Sequence, residues 1–226
     1  MTTRPPTYLS EWIARYQEWS HRTFLEADTP TPTLQQKEVL LTVHYRTVME
    51  EYTLAGETVP GTIWSGKPTT INVTKPLLRL VHGLPGSGKS KLIEWLKEYF
   101  EVVWQWSRNL QYALLAPMNT MADNIGGSTI HSFGRIAFKD KRGMVIQSGR
   151  GAELGGSIFA DEEYHELRFL LIDEIEAAGV GLVGRLEENV RLNVPQTSST
   201  KALQRKQDSD RSRQLSFAGV NVLFLW

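Results

Sequence analysis

Residues 79–95 read RLVHGLPGSGKSKLIEW. An apolar run leads into a glycine-rich turn and then into helix-forming residues, which predicts a strand, a loop and a helix. The loop fits the spacing GxxxxGK[ST], in which glycines allow positive φ angles and successive backbone N–H groups surround an anion. The sequence therefore predicts a nucleotide-binding loop. Its residues are Gly83, Gly86, Ser87, Gly88, Lys89 and Ser90.

Two side chains of this loop have specific chemical tasks in such a site. The Lys89 ammonium would reach the β- and γ-phosphates, and the Ser90 hydroxyl would ligate Mg²⁺. The helix that follows adds its positive N-terminal end. The alternative is a glycine-rich turn that binds nothing. The strand and helix patterns on either side favour the nucleotide site.

A second motif, which is acidic, follows a predicted strand. Residues 167–175 read LRFLLIDEI, an apolar run that leads directly into Asp173 and Glu174. In a parallel sheet, ligands bind beyond the carboxyl ends of the strands, the edge where the phosphate loop also lies. We therefore expect Asp173 in the Mg²⁺ shell beside Ser90 and Glu174 near the γ-phosphate, where it can orient and deprotonate water. Solvent-exposed acids at a strand end are the alternative.

Composition limits the classes of protein that the chain can represent. The 226 residues carry 25 basic and 25 acidic side chains, so any nucleic-acid contact must be local. The absence of cysteine excludes disulfides and thiolate zinc sites. The polar start, MTTRPPTYLSEW, does not fit a secretory signal, and no apolar run approaches the length of a membrane span. We expect an intracellular protein without a membrane segment.

Apolar residues at three- and four-residue spacing predict helices over 8–26 and 34–54. Gln36, near the start of the second helix, has two interpretations. Thr33 and Gln36 stand at capping-box spacing, which favours a reciprocal cap. Alternatively, the Gln36 amide recognises the adenine ring of the nucleotide.

The predicted fold class is α/β, with a parallel sheet flanked by helices. We divide the chain into a helical N-terminal segment, 1–75, and a P-loop domain, 76–226. Further strands are expected at 112–117 and near the end of the chain, with two short helices after 117 and a longer one containing Leu186. The polar stretches 139–166 and 193–214 are interpreted as flexible insertions, with DNA-binding surfaces as the weaker alternative.

Four segments in this order resemble the PIF-type DNA helicases of superfamily 1, a group that includes helicases of Helitron transposons. They are GLPGSGKS, the APMNTMA and TIHSF region, LLIDEI with GRLEENV, and LSFAGVNVLFL. The resemblance covers about 83–226 and implies a RecA-like fold. The helix over 34–54 suits the Q-motif helix of that family, which implies that Gln36 contacts adenine.

The resemblance implies an ATP- and Mg²⁺-dependent DNA helicase that contacts single-stranded DNA and works in the nucleus or the mitochondrion. The implied DNA contacts are Pro117, Asn119, Thr120 and His131. Met118 and Asn119 replace the family's usual Thr and Gly, although Asn119 can adopt a left-handed backbone. A hydrogen-bonded core histidine is an equal alternative for His131. The oligomeric state stays open.

We expect an incomplete first motor domain, because the second RecA-like domain of the family, with its arginine finger, is not found in the sequence. Such a chain would bind Mg-ATP weakly, hydrolyse it very slowly and not unwind DNA. Two other classes compete with this interpretation: a P-loop kinase, for which no arginine-bearing lid is found, and a nucleotide-dependent binding module without turnover.

Overall fold

A computed structural model describes residues 7–26, 30–57, 75–139, 145–147, 167–193 and 215–226. The contacts divide the chain into two compact units. The first contains the described residues of Met1–Val73 together with Gly88–Ser107. The second contains those of Thr74–Ser87 and Arg108–Trp226. This division assigns the helix after the phosphate loop to the unit of the N-terminal helices, whereas the sequence division places it in the P-loop domain.

Three helices form the described part of the first unit. Helix α1 spans Thr7–Leu25, α2 spans Leu34–Ala55 and α3 spans Lys89–Glu98. A π-helical turn, Tyr99–Val103, continues α3. Glycines mark two helix ends, since Gly56 caps α2 at φ 73° and Gly88 precedes α3 at φ 83°. Neither these helices nor any other described helix is long and apolar enough to cross a membrane.

The core of the first unit is aromatic and encloses a histidine. Trp12 stacks on Trp104 with ring centroids 5.1 Å apart, and Tyr16 stacks on His44 at 3.8 Å. Trp104 Nε1 donates to the Tyr99 hydroxyl oxygen at 2.7 Å, and that hydroxyl lies 3.0 Å from His44 Nδ1. Because an indole N–H can only donate, the Tyr99 proton is available for a neutral His44. Burial lowers the pKa of His44 from 6.5 to about 3.

The second unit is built on a five-stranded parallel sheet in the order β1-β7-β6-β2-β3. A separate antiparallel pair joins β4 and β5. The strands are β1 Leu78–Val81, β2 Tyr112–Ala116, β3 Ser128–Thr129, β4 Phe138–Lys139, β5 Val145–Gln147, β6 Phe169–Ile172 and β7 Asn221–Leu225. The helices are α4 Asn119–Ile125, α5 Ile130–Phe133 and α6 Val180–Asn193.

Alternate residues of the strands fill one hydrophobic core. Register pairs Leu170 with Val222 and Ile172 with Phe224, so these side chains share a face of the sheet. The cluster on that face also contains apolar residues of α5 and α6, including Phe133, Leu186 and Val190. The α/β fold class predicted from the sequence, with a parallel sheet and flanking helices, is confirmed.

Several details differ from the sequence expectations. Strand β7 lies inside the sheet, between β1 and β6, and β5 falls within the stretch 139–166 that we interpreted as flexible. Before β7, Phe217, Ala218 and Gly219 all have positive φ angles, a left-handed turn that the sequence pattern did not indicate. The insertion predicted at 193–214 lies outside the described residues apart from Asn193.

Candidate functional site: a phosphate loop and an acidic strand end

The predicted phosphate loop begins at the end of β1 in the second unit. The Gly83 N–H donates to the carbonyl oxygen of Trp226 at 2.9 Å, which ties the start of the loop to the end of β7. The Ser87 N–H donates to the Leu84 carbonyl oxygen at 3.0 Å and closes a turn. Gly86, inside this turn, has φ 79° and would place a Cβ in open space. Its backbone conformation therefore favours glycine, while its surroundings would tolerate a side chain.

The loop ends at Gly88, which belongs to the first unit. Its carbonyl oxygen accepts from the Leu92 N–H at 3.0 Å, the first hydrogen bond of α3, and from Gln36 Nε2 at 3.2 Å. A Cβ at Gly88 would lie 2.7 Å from Gln36 Nε2. The φ angle of Gly88 therefore favours glycine, and a side chain there would displace the Gln36 amide. Lys89 and Ser90 follow as the first residues of α3.

Gln36 forms the capping box that its spacing predicts. Thr33 Oγ1 accepts from the Gln36 N–H at 3.3 Å, and Gln36 Oε1 accepts from the Thr33 N–H at 2.8 Å. The cap interpretation is confirmed, and the additional bond to Gly88 was not foreseen. Adenine recognition by Gln36 stays a prediction.

Asp173 and Glu174 follow β6 directly. The Asp173 N–H donates to the Leu115 carbonyl oxygen at 2.8 Å, and only 7% of the residue is exposed. Glu174 has φ 50° and ψ 47°, a left-handed conformation that costs a residue with a Cβ about 1–2 kcal/mol. Strain of this kind persists where the surrounding structure fixes it, and it is concentrated at functional sites. Glu174 is one of six described non-glycine residues with a positive φ angle, and it is the residue that the sequence assigns to the attacking water.

The strand order places the acidic pair at the same edge of the sheet as residues 83–87. Strands β1 and β6 both run parallel to β7, so the segments that follow them leave the sheet on one side. One strand lies between them, which separates their ends by about 10 Å at the usual strand spacing. No cluster of three or more potential metal-ligating side chains occurs among the described residues.

The predicted DNA contacts follow β2 and β3, at the same edge. Pro117 is buried, whereas Asn119 and Thr120 are exposed in the first turn of α4. Asn119 does not adopt a positive φ angle, because it begins the helix after the Met118 cap. The left-handed turn that we considered possible at Asn119 is therefore not present, and Asn119 is helical instead.

His131 lies in α5, which Thr129 caps by accepting from the Ser132 N–H at 3.1 Å. The His131 residue is only partly buried. Partial burial, and secondly the nearby charge of Arg185, lower the pKa of His131. The ring therefore loses its proton more readily than a histidine in water. A phosphate contact by His131 would rely mainly on hydrogen bonding.

Sequence reasoning missed Asn221, which joins strands at the opposite edge. Its Oδ1 accepts from the Leu77 N–H at 2.8 Å, and its Nδ2 donates to the Arg168 carbonyl oxygen at 3.1 Å. The residue is 1% exposed. A single amide inside the apolar run VNVLFL was the available signal, because buried polar side chains are nearly always hydrogen-bonded.

Neither a family model nor a curated protein matches the chain. Solved structures of Pif1 are similar to the chain. Unliganded Pif1 from Bacteroides sp. is 16% identical with a TM-score of 0.48, and the Bacteroides Pif1 complex with ADP-AlF3 and ssDNA is 15% identical at 0.49. Pif1 from Candida albicans is 18% identical at 0.46. Each match covers 87% of this chain and 32% of the other, so this chain spans about a third of their length. All three are PIF-type helicases, the family that the sequence motifs resemble.

Proposed function

We propose that the chain is an ATP-binding motor domain of a PIF-type DNA helicase, which hydrolyses Mg-ATP to ADP and phosphate. The observation that carries the proposal is the strained backbone of Glu174. A left-handed glutamate follows a buried aspartate directly, at the sheet edge where residues 83–87 also leave β1, and this arrangement supports a role of Glu174 in water activation.

In this proposal each side chain acts on one part of the nucleotide. Lys89 neutralises the β- and γ-phosphates, and the backbone N–H groups of residues 86–90 surround them. Ser90 and Asp173 hold Mg²⁺, which would neutralise the charge that develops on the phosphate oxygens. Glu174 orients the attacking water and accepts its proton. Gln36 belongs to the nucleotide site through its contact with Gly88.

Single-stranded DNA is the proposed macromolecular partner. Pro117, Asn119, Thr120 and His131 would contact it at the edge of the sheet where the acidic pair also lies. A polymer bound at the loops after β2 and β3 would be sensitive to changes at the end of β6, because β6 pairs directly with β2. Duplex unwinding belongs to the full family architecture. We also propose a nuclear or a mitochondrial location.

The kinase alternative needs an acceptor other than water. A carboxylate placed after the Mg²⁺ ligand favours water as the acceptor, and for that reason we prefer the hydrolase. A binding module without turnover would keep the phosphate loop but gain nothing from a strained Glu174.

The test is an ATPase assay of the purified chain with and without single-stranded DNA. We expect slow release of inorganic phosphate that depends on Mg²⁺, rises with DNA and disappears in Glu174→Gln. Nucleotide binding without phosphate release would favour the binding module. Transfer of phosphate to an added small molecule, with none to water, would favour the kinase.

A further inference from the structure

The amide of Gln36 connects the cap of α2 to the last glycine of the phosphate loop. We propose that Gln36 is a positioning residue that sets the orientation of the Gly88–Lys89 peptide, and that it thereby controls affinity for the phosphates and not for the base. The inference rests on the proposed nucleotide site and assigns a different task to Gln36 from adenine recognition.

Both ends of the Gln36 amide are engaged. Oε1 accepts from the Thr33 N–H at 2.8 Å, while Nε2 donates to the Gly88 carbonyl oxygen at 3.2 Å. A primary amide offers two donor hydrogens and two acceptor lone pairs on one rigid plane. Rotating that plane would break the two bonds together. The observed geometry therefore favours a fixed amide.

The bond to Gly88 acts on the loop through the planarity of the peptide. The Gly88 carbonyl and the Lys89 N–H belong to one trans peptide unit, and they point in opposite directions. A donor that holds the carbonyl on one side therefore fixes the direction of the N–H on the other. Backbone N–H groups at this position are the ones that surround a phosphate.

The same carbonyl also begins α3. It accepts from the Leu92 N–H at 3.0 Å, so Gln36 and the first helical hydrogen bond restrain one oxygen atom. Gly88 has φ 83°, in the left-handed region. Because glycine has no side chain, it can also adopt other φ angles at little cost. The Gln36 donor supplies a restraint that the glycine itself lacks.

The experiment compares Gln36→Glu and Gln36→Ala in the full chain. A glutamate at this position still accepts from the Thr33 N–H and keeps the capping box, but it cannot donate to Gly88. The alanine removes both bonds without adding charge. Affinities are measured for ATP, GTP and inorganic triphosphate, the last of which has no base. Thermal unfolding reports the state of α2.

Within each variant we expect the affinities for ATP, GTP and triphosphate to fall by one common factor, about three- to tenfold for the alanine. The glutamate should lose more, because its charge repels phosphate, while its melting temperature stays near that of the wild type. Thr33→Ala is the matched control. It removes the other half of the cap and leaves the Gly88 bond, so it should lower the melting temperature and leave triphosphate affinity unchanged.

Three results would overturn the inference. Loss of ATP affinity with unchanged affinity for GTP and triphosphate would assign Gln36 to the base. Unchanged affinity for every ligand would leave it as a cap alone. Failure of the wild-type chain to bind any of the three would instead remove the proposed nucleotide site, and that outcome is visible before a variant is made.

Discussion

The carbonyl oxygen of Gly88 lies 3.2 Å from Nε2 of Gln36, and a Cβ at Gly88 would lie 2.7 Å from the same nitrogen. Gly86, two residues earlier, has nearly the same φ angle, 79° against 83°, but a Cβ there would meet nothing within 4 Å. The two glycines therefore separate the effect of backbone strain from the effect of a steric clash.

Gly88→Ala should destabilise the chain and weaken nucleotide binding more than Gly86→Ala. Both substitutions carry the left-handed penalty of about 1–2 kcal/mol, and only the first displaces Gln36. Urea unfolding and ATP titration of both variants measure the difference. In the double variant Gly88→Ala, Gln36→Ala the clash is absent, so the two substitutions should be less than additive. Strict additivity would contradict the contact.

Lys89→Ala should lower ATP affinity by about 10- to 150-fold, since a hydrogen bond to a charged group contributes about 1.5–3 kcal/mol. The removed ammonium would leave the phosphate charge uncompensated in the loop. A fluorescent ATP analogue reports the affinity. Lys97→Ala, a basic residue in the last turn of the same helix, is the control and should bind as the wild type does. Equal binding by all three proteins would refute the phosphate-loop assignment.

Glu174→Gln should keep Mg-ATP binding and lower hydrolysis by about 10²- to 10⁴-fold, because an amide retains the shape but cannot accept a proton. Asp173→Asn should instead raise the Mg²⁺ concentration needed for half-maximal activity. Phosphate release measured across a Mg²⁺ titration separates the two effects. Glu176→Gln, an exposed neighbour, serves as the control. Identical Mg²⁺ curves for the first two variants would show that our division of roles is wrong.

Folding stability should fall as the pH is lowered below 6.5. The pKa of His44 is about 3 in the folded protein, against the ordinary histidine value of 6.5, so the unfolded chain binds the additional proton. The contribution of the neutral ring is complete above pH 6.5 and is lost as the pH falls toward 3, at up to about 1.4 kcal/mol per pH unit. Burial raises the pKa values of Tyr16 and Tyr99, so neither tyrosine titrates in this range.

Urea unfolding followed by tryptophan fluorescence at pH 7, 6 and 5 measures this slope, since Trp12 and Trp104 lie against the histidine cluster. In His44→Gln the slope should be smaller, whereas in His21→Gln, a change on the surface of α1, it should match the wild type. A slope of the same size in all three proteins would exclude His44 as its source.

Gly127→Ala should destabilise the sheet by about 1–3 kcal/mol. A Cβ there would lie 2.3 Å from the Leu114 carbonyl oxygen, a backbone atom that cannot move without disturbing β2. Gly184→Ala, inside α6 with open space around it, should have the opposite sign and stabilise by about 0.5–1 kcal/mol. Chemical unfolding of both variants gives the comparison, and two changes of the same sign would contradict the local packing.

The sequence predicts those elements whose information is local. The strand and helix on either side of residues 83–88, the capping box of Thr33 and Gln36 and the strand before Asp173 each follow from neighbouring residues, and the structure contains these elements. The position of β7 does not follow, because strand order depends on pairing between residues far apart in the chain. The bond from Gln36 to Gly88 was missed for the same reason, since 52 residues separate the two.

The position of β7 has a consequence for how the chain is made. In the described part of the chain, β1 pairs with no strand except β7, and Leu77 meets Asn221 across 144 residues. During synthesis the strand before the phosphate loop therefore leaves the ribosome long before its neighbour exists. Such high contact order slows folding and leaves the β1 edge open to other chains in the meantime. We expect the nascent chain to depend on chaperones until residues 221–225 have emerged.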